Sequence, residues 1–210
     1  RHFWRMTTMR IPSDILYNPN GDLRVRLRPV SDQARWRVNR KNTANGIAFA
    51  RQIVASFQQN DIKAWRHPIG RRYPVTVSVD LGGVRLAILT KYWTMTDNRG
   101  DAFYLTREFY ESRRRGVWPD QVQAVTAFSR NKGAVPFLVP SLELPTGRHA
   151  IFVPFNVVET LMKYEIKIGL GVFDGWPAYP LLPDGRYDID VDEVAELVRN
   201  LQAGDQDADQ

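Results

Sequence analysis

Two stretches near the middle of the chain alternate between apolar and polar positions. Apolar residues recur at every second position from Val75 to Val79 and again from Val84 to Ile88. Side chains of a strand point to its two faces in turn, so this period of two predicts two β-strands. The Gly82-Gly83 pair between them is a frequent two-residue turn. The sequence therefore predicts a β-hairpin, and its apolar content predicts a mostly buried sheet.

Three segments around the hairpin have the apolar spacing of helices. The first is predicted from Thr43, which suits an N-cap, to Gln59. The second spans 101–115 and ends before Gly116, which is a common helix stop. The third opens at Pro119, because proline suits the first turn of a helix. The apolar stripes are Ile47, Ala50, Ile53, Val54 and Phe57 in the first helix, Phe103, Phe109 and Tyr110 in the second, and Val122, Val125 and Phe128 in the third.

The rest of the chain adds strands and helices in the same mixed order. Two more strands are predicted at 135–139 and 150–153, and a short helix at 156–163. Residues 169–183 are rich in glycine, proline and aromatics, which favours surface loop. A last helix is predicted to start at Asp190-Val191-Asp192-Glu193, which has capping-box spacing with Asp in the cap position. The pattern as a whole predicts an α/β protein.

Both ends of the chain differ from this central part. Residues 1–42 form a predicted basic N-terminal extension, in which Leu23 to Arg28 alternates strictly and predicts a strand with an arginine face. Such an arm is compatible with phosphate contact, with a partner subunit, or with a charged edge strand. We expect a core over 43–163, a loop-rich segment with the C-terminal helix over 164–202, and a disordered acidic tail over 203–210.

Composition narrows the classes of protein. The chain has 210 residues and no cysteine, which excludes disulfides, thiolate metal sites and a cysteine nucleophile. No apolar run approaches the ~20 residues of a membrane span, and the first residues lack the apolar stretch of a signal peptide. We therefore expect an intracellular or virion-associated protein that does not contact membranes.

The net charge of +6 combines two opposite parts. Residues 1–183 hold 27 Lys and Arg against 14 Asp and Glu, a balance of +13, whereas residues 184–210 hold 2 against 9, a balance of −7. A basic body is typical of a protein with a polyanionic or acidic partner. The alternative is a solvated basic surface without a dedicated partner.

The order of predicted elements, helix, strand, strand, helix, strand, strand, resembles the core of the restriction-endonuclease-like (PDDEXK) nucleases. Within that superfamily it is nearest to the archaeal-type Holliday junction resolvases and related phage nucleases, over residues 45–160. The resemblance implies a central mixed sheet flanked by helices. The matching segments are Asn45-Gly46-Ile47, Trp65-Arg66-His67-Pro68 with Arg71-Arg72-Tyr73-Pro74, Ile88-Leu89-Thr90-Lys91, Gln121 with Phe128, 133–138, and Phe152-Val153-Pro154-Phe155.

The chemistry that the resemblance implies is incomplete in this chain. Those nucleases hold Mg²⁺ with an acid on the first helix, an Asp on the first strand and a Glu two residues before a Lys. Here the helix acid falls on Ala48 or Ala50, the strand Asp on Thr76 or Val77, and the Glu on Leu89. Only Lys91 remains of the motif, and a lone lysine cannot hold a divalent cation. The resemblance therefore implies a degenerate site without a metal or other cofactor.

The chain could still be an active nuclease if carboxylates at other positions supplied the metal ligands. Mg²⁺ is expected only in that case. The fallback residues are Asp80 and Asp97, with Asp101, Glu108 and Glu111 behind them. Turn formation and helix capping explain the same acids equally simply. The three histidines, His2, His67 and His149, lack metal-ligand spacing.

Basic clusters interleaved with aromatics are the remaining functional signal, because cations contact phosphates and rings stack on bases. The alternative is that the rings are core residues and the charges pair at helix ends. Trp65, Tyr92, Trp93 and Trp118 lie among the basic residues. The candidate nucleic-acid-binding residues are Arg66, Arg71, Arg72, Lys91, Arg113, Arg114, Arg115, Arg130 and Lys132.

The sequence thus favours a nucleic-acid-binding protein on a degenerate nuclease scaffold. Two alternatives stay open. One is a structural or assembly subunit of a virus, phage or larger complex, as a dimer or a larger assembly. The other is an active Mg²⁺-dependent endonuclease with migrated carboxylates.

Overall fold

The protein was analysed as a computed structural model, which describes residues 15–17, 23–25, 32–68, 73–92, 102–103, 121–163, 168–169, 173 and 175–207. Its contacts divide the chain into two units, Arg1–Asn42 and Thr43–Gln210. The elements are β1 Ile15–Tyr17, β2 Leu23–Val25, α1 Asp32–Gln58, β3 Lys63–Arg66, β4 Val77–Leu81, β5 Val84–Tyr92, β6 Ala102–Phe103, α2 Gln121–Lys132, β7 Ala134–Leu144, β8 Gly147–Ile151, β9 Val153–Pro154, α3 Phe155–Lys163, β10 Ile168–Gly169, β11 Ala178–Pro180 and α4 Val191–Asp207.

Seven strands of the second unit form one mixed sheet. Their order is β11-β8-β7-β5-β4-β3, and β9 pairs with β7. Neighbouring strands are antiparallel except for β5 and β7, which are parallel. A parallel pair needs a crossover of a dozen or more residues, usually helical, and α2 lies in that connection. The predicted α/β architecture, a central mixed sheet flanked by helices, is confirmed.

The predicted hairpin forms the middle of this sheet. Val77 lies opposite Ile88, and Leu81 lies opposite Val84, so Gly82 and Gly83 make a two-residue turn. Their φ angles are 65° and 109°. A tight hairpin turn needs positive φ at both central positions, which glycine adopts without a steric cost. The turn chemistry read from the sequence is therefore confirmed.

Each face of the sheet buries a separate apolar cluster. Alternation along β5 sends Leu86 and Ile88 to one cluster and Ala87 and Leu89 to the other. The first cluster contains Phe49, Ile53 and Phe57 of α1, with Val194 and Val198 of α4. The second contains Val125 of α2 and Val158 of α3. Helices thus cover both faces of β5, which explains why its central residues, Leu86 to Leu89, are all apolar.

Two predicted helices differ from the structure. The first helix begins at Asp32 rather than Thr43, so Thr43 is not an N-cap. No proline or glycine lies between Asp32 and Gly46 to stop the helix earlier. The helix predicted over 101–115 is wrong at its start, because Ala102–Phe103 pairs with Ile168–Gly169 as strands. The remainder of that prediction, 104–115, lies outside the described residues.

The segment predicted as surface loop, 169–183, contains strand β11. Its central residue Tyr179 is buried, and its ring packs edge-on against Phe152 with centroids 5.6 Å apart. The strand ends at Pro180 on the outer edge of the sheet, where the missing N–H of proline costs no ladder bond. Aromatic burial therefore outweighs the turn composition here.

The C-terminal helix has the predicted cap but not the complete capping box. Asp190 Oδ1 accepts hydrogen bonds from the amides of Asp192 and Glu193, both at 3.0 Å. Glu193 does not reach back, because its carboxylate accepts the Tyr179 hydroxyl at 2.8 Å. Burial, together with Glu193, raises the pKa of Tyr179, so the hydroxyl stays protonated and donates. The helix continues to Asp207, into the tail predicted to be disordered.

The first unit contributes a small antiparallel pair, β1 and β2, in which Ile15 lies opposite Val25. The strand predicted from Leu23 to Arg28 is described as far as Val25. In the described part of the chain, no helix combines the length and apolarity needed to cross a membrane.

Candidate nucleic-acid interface

The segment that resembles the Glu-x-Lys motif of the nucleases lies near the C-terminal end of β5. Leu89 stands where the resemblance implies a metal-binding glutamate, and it is only 3% exposed. It belongs to the second apolar cluster with Val75, Val125 and Leu138. Lys91, two residues on, has the same orientation by strand alternation and is half-buried. The glutamate position is thus part of the hydrophobic core.

The resemblance implies the strand aspartate at Thr76 or Val77, and both residues have structural roles: Val77 is fully buried in the first apolar cluster, and Thr76 forms hydrogen bonds. Thr76 Oγ1 accepts a hydrogen bond from the Thr90 amide at 2.7 Å. Its hydroxyl donates to the Ile88 carbonyl at 3.0 Å, with the Thr90 hydroxyl oxygen 2.9 Å away. The Thr76 amide also donates to Ile88, at 2.9 Å. This hydroxyl joins the entry of β4 to the end of β5, where the resembled nucleases place a carboxylate.

Replacing Thr76 with valine tests whether this hydroxyl is structural. The variant keeps the side-chain shape but leaves the Thr90 N–H without its acceptor, so we expect a loss of about 1–3 kcal/mol in the free energy of unfolding. Chemical denaturation measures it. Thr76→Ser is the matched control, since it keeps the hydroxyl and should retain most of the stability. Equal stability of the valine variant and the parent would contradict the assignment.

Carboxylates do not gather beside Lys91 in the described part of the chain. No group of three or more His, Cys, Asp or Glu side chains there is arranged to hold a metal ion. Asp80 lies opposite Arg85 and accepts the Gly83 amide at 3.2 Å, so it stabilises the hairpin turn. Six strand positions separate Arg85 from Lys91, roughly 20 Å at the usual rise. Asp97 lies outside the described residues.

The described candidate cations fall at two ends of the sheet. Arg66 pairs with Val77 and therefore lies toward the end of β5 that carries Lys91. Arg130 and Lys132 are exposed in the last turn of α2, which leads into β7 at the Arg85 end. The structure thus separates two groups that the sequence placed on one interface. Arg71, Arg72, Arg113, Arg114 and Arg115 lie outside the described residues.

Arg148 is a cation near Lys91 that sequence reasoning missed. Its guanidinium lies 4.5 Å from the centroid of the Tyr92 ring. It donates to Ser141 Oγ at 3.1 Å and forms an ion pair with Glu143 at 2.8 Å. The 145–147 turn folds β8 back along β7, which is the signal that places Arg148 here. Glu143 therefore balances the charge of Arg148, and the Arg148 guanidinium packs on the Tyr92 ring.

His67 has a hydrogen-bond partner and lies within a cluster of aromatic rings. Its Nε2 lies 2.7 Å from Ser78 Oγ. Its ring stacks on Tyr73, with centroids 4.6 Å apart and an interplanar angle of 19°. Phe128 of α2 meets His67 edge-on with centroids 5.9 Å apart, and Trp65 also meets His67 edge-on, at 6.4 Å. This cluster lies on the sheet face of Leu89, because Phe128 packs against the same apolar cluster.

Burial lowers the pKa of His67 below its usual value, since a partly buried imidazole is harder to charge. A folded-state pKa below the unfolded one means that the stability contribution is present above the unfolded value of about 6.5 and is lost as the pH falls through the folded pKa. We therefore expect thermal stability to decrease on acidification, and this dependence to weaken in His67→Gln. Melting curves at several pH values measure it. An unchanged pH profile in the variant would assign the acid sensitivity to other groups.

Comparisons with known proteins add a likeness of fold. No protein-family model matches the sequence, and no curated protein matches it. The structure is similar to 19 solved chains. One of them is Hjc, a Holliday junction resolvase from the archaeal hyperthermophile Archaeoglobus fulgidus, with a TM-score of 0.42 and 19% sequence identity. The match covers 61% of this chain and 89% of that chain. This similarity concerns the fold and gives no information on the chemistry of this chain.

Proposed function

We propose that this protein binds nucleic acid through basic residues around its sheet and does not cleave it by a metal-dependent reaction. One observation supports the proposal that the protein does not cleave nucleic acid. Both described strand positions that would hold carboxylates are occupied by side chains with structural roles. Leu89 is buried in the core, and the Thr76 hydroxyl binds Thr90 and Ile88.

The charge distribution supports the proposal that the protein binds nucleic acid. Residues 1–183 carry a balance of +13, from 27 basic and 14 acidic side chains. Lysine and arginine contacts to phosphates release condensed counterions, which supplies binding free energy without sequence recognition. Arg130 and Lys132 are exposed, and Lys132 precedes the Gly133 that ends α2. They suit phosphate contact better than Arg148, which is paired with Glu143.

Fluorescence anisotropy with a labelled DNA duplex, single strand and four-way junction tests the proposal. We expect binding at low salt that weakens steeply as salt rises, with the logarithm of the binding constant falling linearly against the logarithm of salt concentration. No binding to any of the three ligands at low salt would overturn the proposal.

Paired variants show which end of the sheet contacts the ligand. Arg130→Gln with Lys132→Gln neutralises the α2 end, and Arg66→Gln with Lys91→Gln neutralises the other end. Each lost phosphate contact should reduce the salt slope by about one. Arg199→Gln on α4 is the matched control, because it removes an exposed cation from the acidic C-terminal region. A control variant that lowers the slope as much as the others would indicate non-specific attraction by net charge.

The assembly-subunit alternative gains support from strand β3, which ends the order of the sheet in the described part of the chain. An edge strand offers backbone groups to another chain. A solution mass measurement discriminates between the two functions. A species that binds DNA supports the proposal whether it is a monomer or a dimer, whereas an oligomer indifferent to DNA supports the alternative.

A further inference from the structure

Trp65 is the one large apolar side chain that is exposed among the residues with described side chains, at 44%. It lies on β3, at the end of the sheet order, and faces Ser78 across the strand pair. Single exposed apolar residues are common and need no function by themselves. What sets Trp65 apart is the group of rings behind it.

Trp65 belongs to a cluster of four rings, and the other three are His67, Tyr73 and Phe128. Trp65 meets His67 edge-on at 74°, and His67 in turn stacks on Tyr73. Phe128 closes the cluster against Tyr73, with centroids 6.5 Å apart. The hydrogen bond between His67 and Ser78 ties it to β4. Trp65 therefore packs against a histidine that the cluster holds in place, and 44% of Trp65 is exposed.

The surroundings of Trp65 favour an anionic ligand over a purely apolar one. Lys63 is exposed and lies on the same face of β3, two residues before Trp65. Arg66 follows Trp65 and lies on the opposite face of β3 by strand alternation, and its guanidinium donates to the His67 carbonyl at 3.1 Å. The acid opposite Lys63 is Asp80, whose carboxylate accepts the Gly83 amide. An exposed ring with a cation beside it on the same face matches the layout that binds bases and phosphates together.

We propose that Trp65 is a stacking residue for an unpaired base, and that the protein therefore prefers single-stranded segments of nucleic acid. This rests on the proposed function, because the basic surface must first bring the strand to the sheet. In a duplex each base face is covered by its neighbours, so an intact helix cannot present a base to Trp65. An unpaired base can lie on the ring without first being unstacked, and Lys63, on the same face of β3, is placed for an adjoining phosphate.

Anisotropy titrations of three proteins against three ligands test the proposal. The proteins are the parent, Trp65→Leu and Trp65→Phe. The ligands are a thymidine oligonucleotide, an abasic strand of equal length and a duplex. Stacking contributes about 1–3 kcal/mol per base, so Trp65→Leu should weaken binding of the thymidine strand roughly 5- to 150-fold. Trp65→Phe should retain most of the affinity, because it keeps an aromatic face. Affinity for the abasic strand and the duplex should be the same in all three proteins.

The outcomes separate this proposal from the proposed function. Binding of the parent that is equal for thymidine and abasic strands would overturn the stacking proposal and leave nucleic-acid binding in place. So would a Trp65→Leu variant with unchanged affinity for the thymidine strand. Absence of binding to all three ligands would overturn both. A Trp65→Leu variant that dissociates a dimer without losing single-strand affinity would show that a second copy covers the ring, and would also overturn the proposal.

Discussion

Leu89→Glu is expected to lower the free energy of unfolding by about 3 kcal/mol or more, and Mg²⁺ is not expected to restore it. The substitution recreates the Glu-x-Lys spacing of the resembled nucleases, with Lys91 already in place. Leu89 is 3% exposed and surrounded by Val75, Val125 and Leu138. A charge introduced among these apolar side chains loses its hydration. A divalent cation needs several oxygen ligands, and Thr76 supplies a hydroxyl that is already bonded.

Denaturant unfolding with and without Mg²⁺ measures this. Leu89→Met is the volume-matched control and should cost less than about 1.5 kcal/mol. Leu89→Gln separates the charge from the polarity, and should lie between the two. The assignment of Leu89 to the core would be wrong if the glutamate variant matched the parent in stability. A variant stabilised selectively by Mg²⁺ would reveal a metal site that has survived around this position.

Phe152→Ala is expected to destabilise the second unit by about 3–5 kcal/mol. Phe152 is fully buried at the junction between β8 and β9. Its ring contacts Phe57 of α1 at 6.1 Å, Phe137 of β7 at 6.2 Å and Tyr179 of β11 at 5.6 Å. Truncation therefore removes an aromatic contact to a helix, to the sheet and to the C-terminal segment at once, and leaves a cavity among them.

For a chain of this length the loss corresponds to a decrease of roughly 6–20 °C in melting temperature. Calorimetry measures it as one transition. Phe152→Leu is the control, since it keeps an apolar side chain of similar size and should show a much smaller decrease. A separate early transition for the C-terminal segment, with the remaining melt unchanged, would contradict the central place of Phe152.

The regular parts of the fold follow from the sequence because local signals and burial agree there. Alternation from Val75 to Ile88 and the Gly82-Gly83 turn predict β4, β5 and their register. The sequence fails where tertiary contacts decide. Residues 178–180 have the composition of a loop, yet Tyr179 is part of the core. Its ring packs against Phe152, and its hydroxyl donates a hydrogen bond to Glu193. No local pattern contains those partners.

The sequence identifies which residues fall at the positions of the candidate site, but not how those residues are arranged. The resemblance implied carboxylates at Leu89 and at Thr76 or Val77. In the structure Leu89 and Val77 are buried in the core, and Thr76 accepts a hydrogen bond from the Thr90 amide. Strand direction, which a list of basic residues does not contain, separates Lys91 from Arg130 and Lys132. The partnership of Arg148 with Tyr92 depends on the β7–β8 turn and was missed for the same reason.

One measurement tests the central claim most directly. A labelled four-way DNA junction is incubated with the full chain at low salt in Mg²⁺ or Mn²⁺, and each sample is divided between a native and a denaturing gel. We predict a retarded complex on the native gel and an intact strand on the denaturing gel. Cleaved strands that disappear in Asp80, Asp97 or Lys91 variants would contradict the claim and establish an active nuclease. Absence of a retarded complex would contradict it as well.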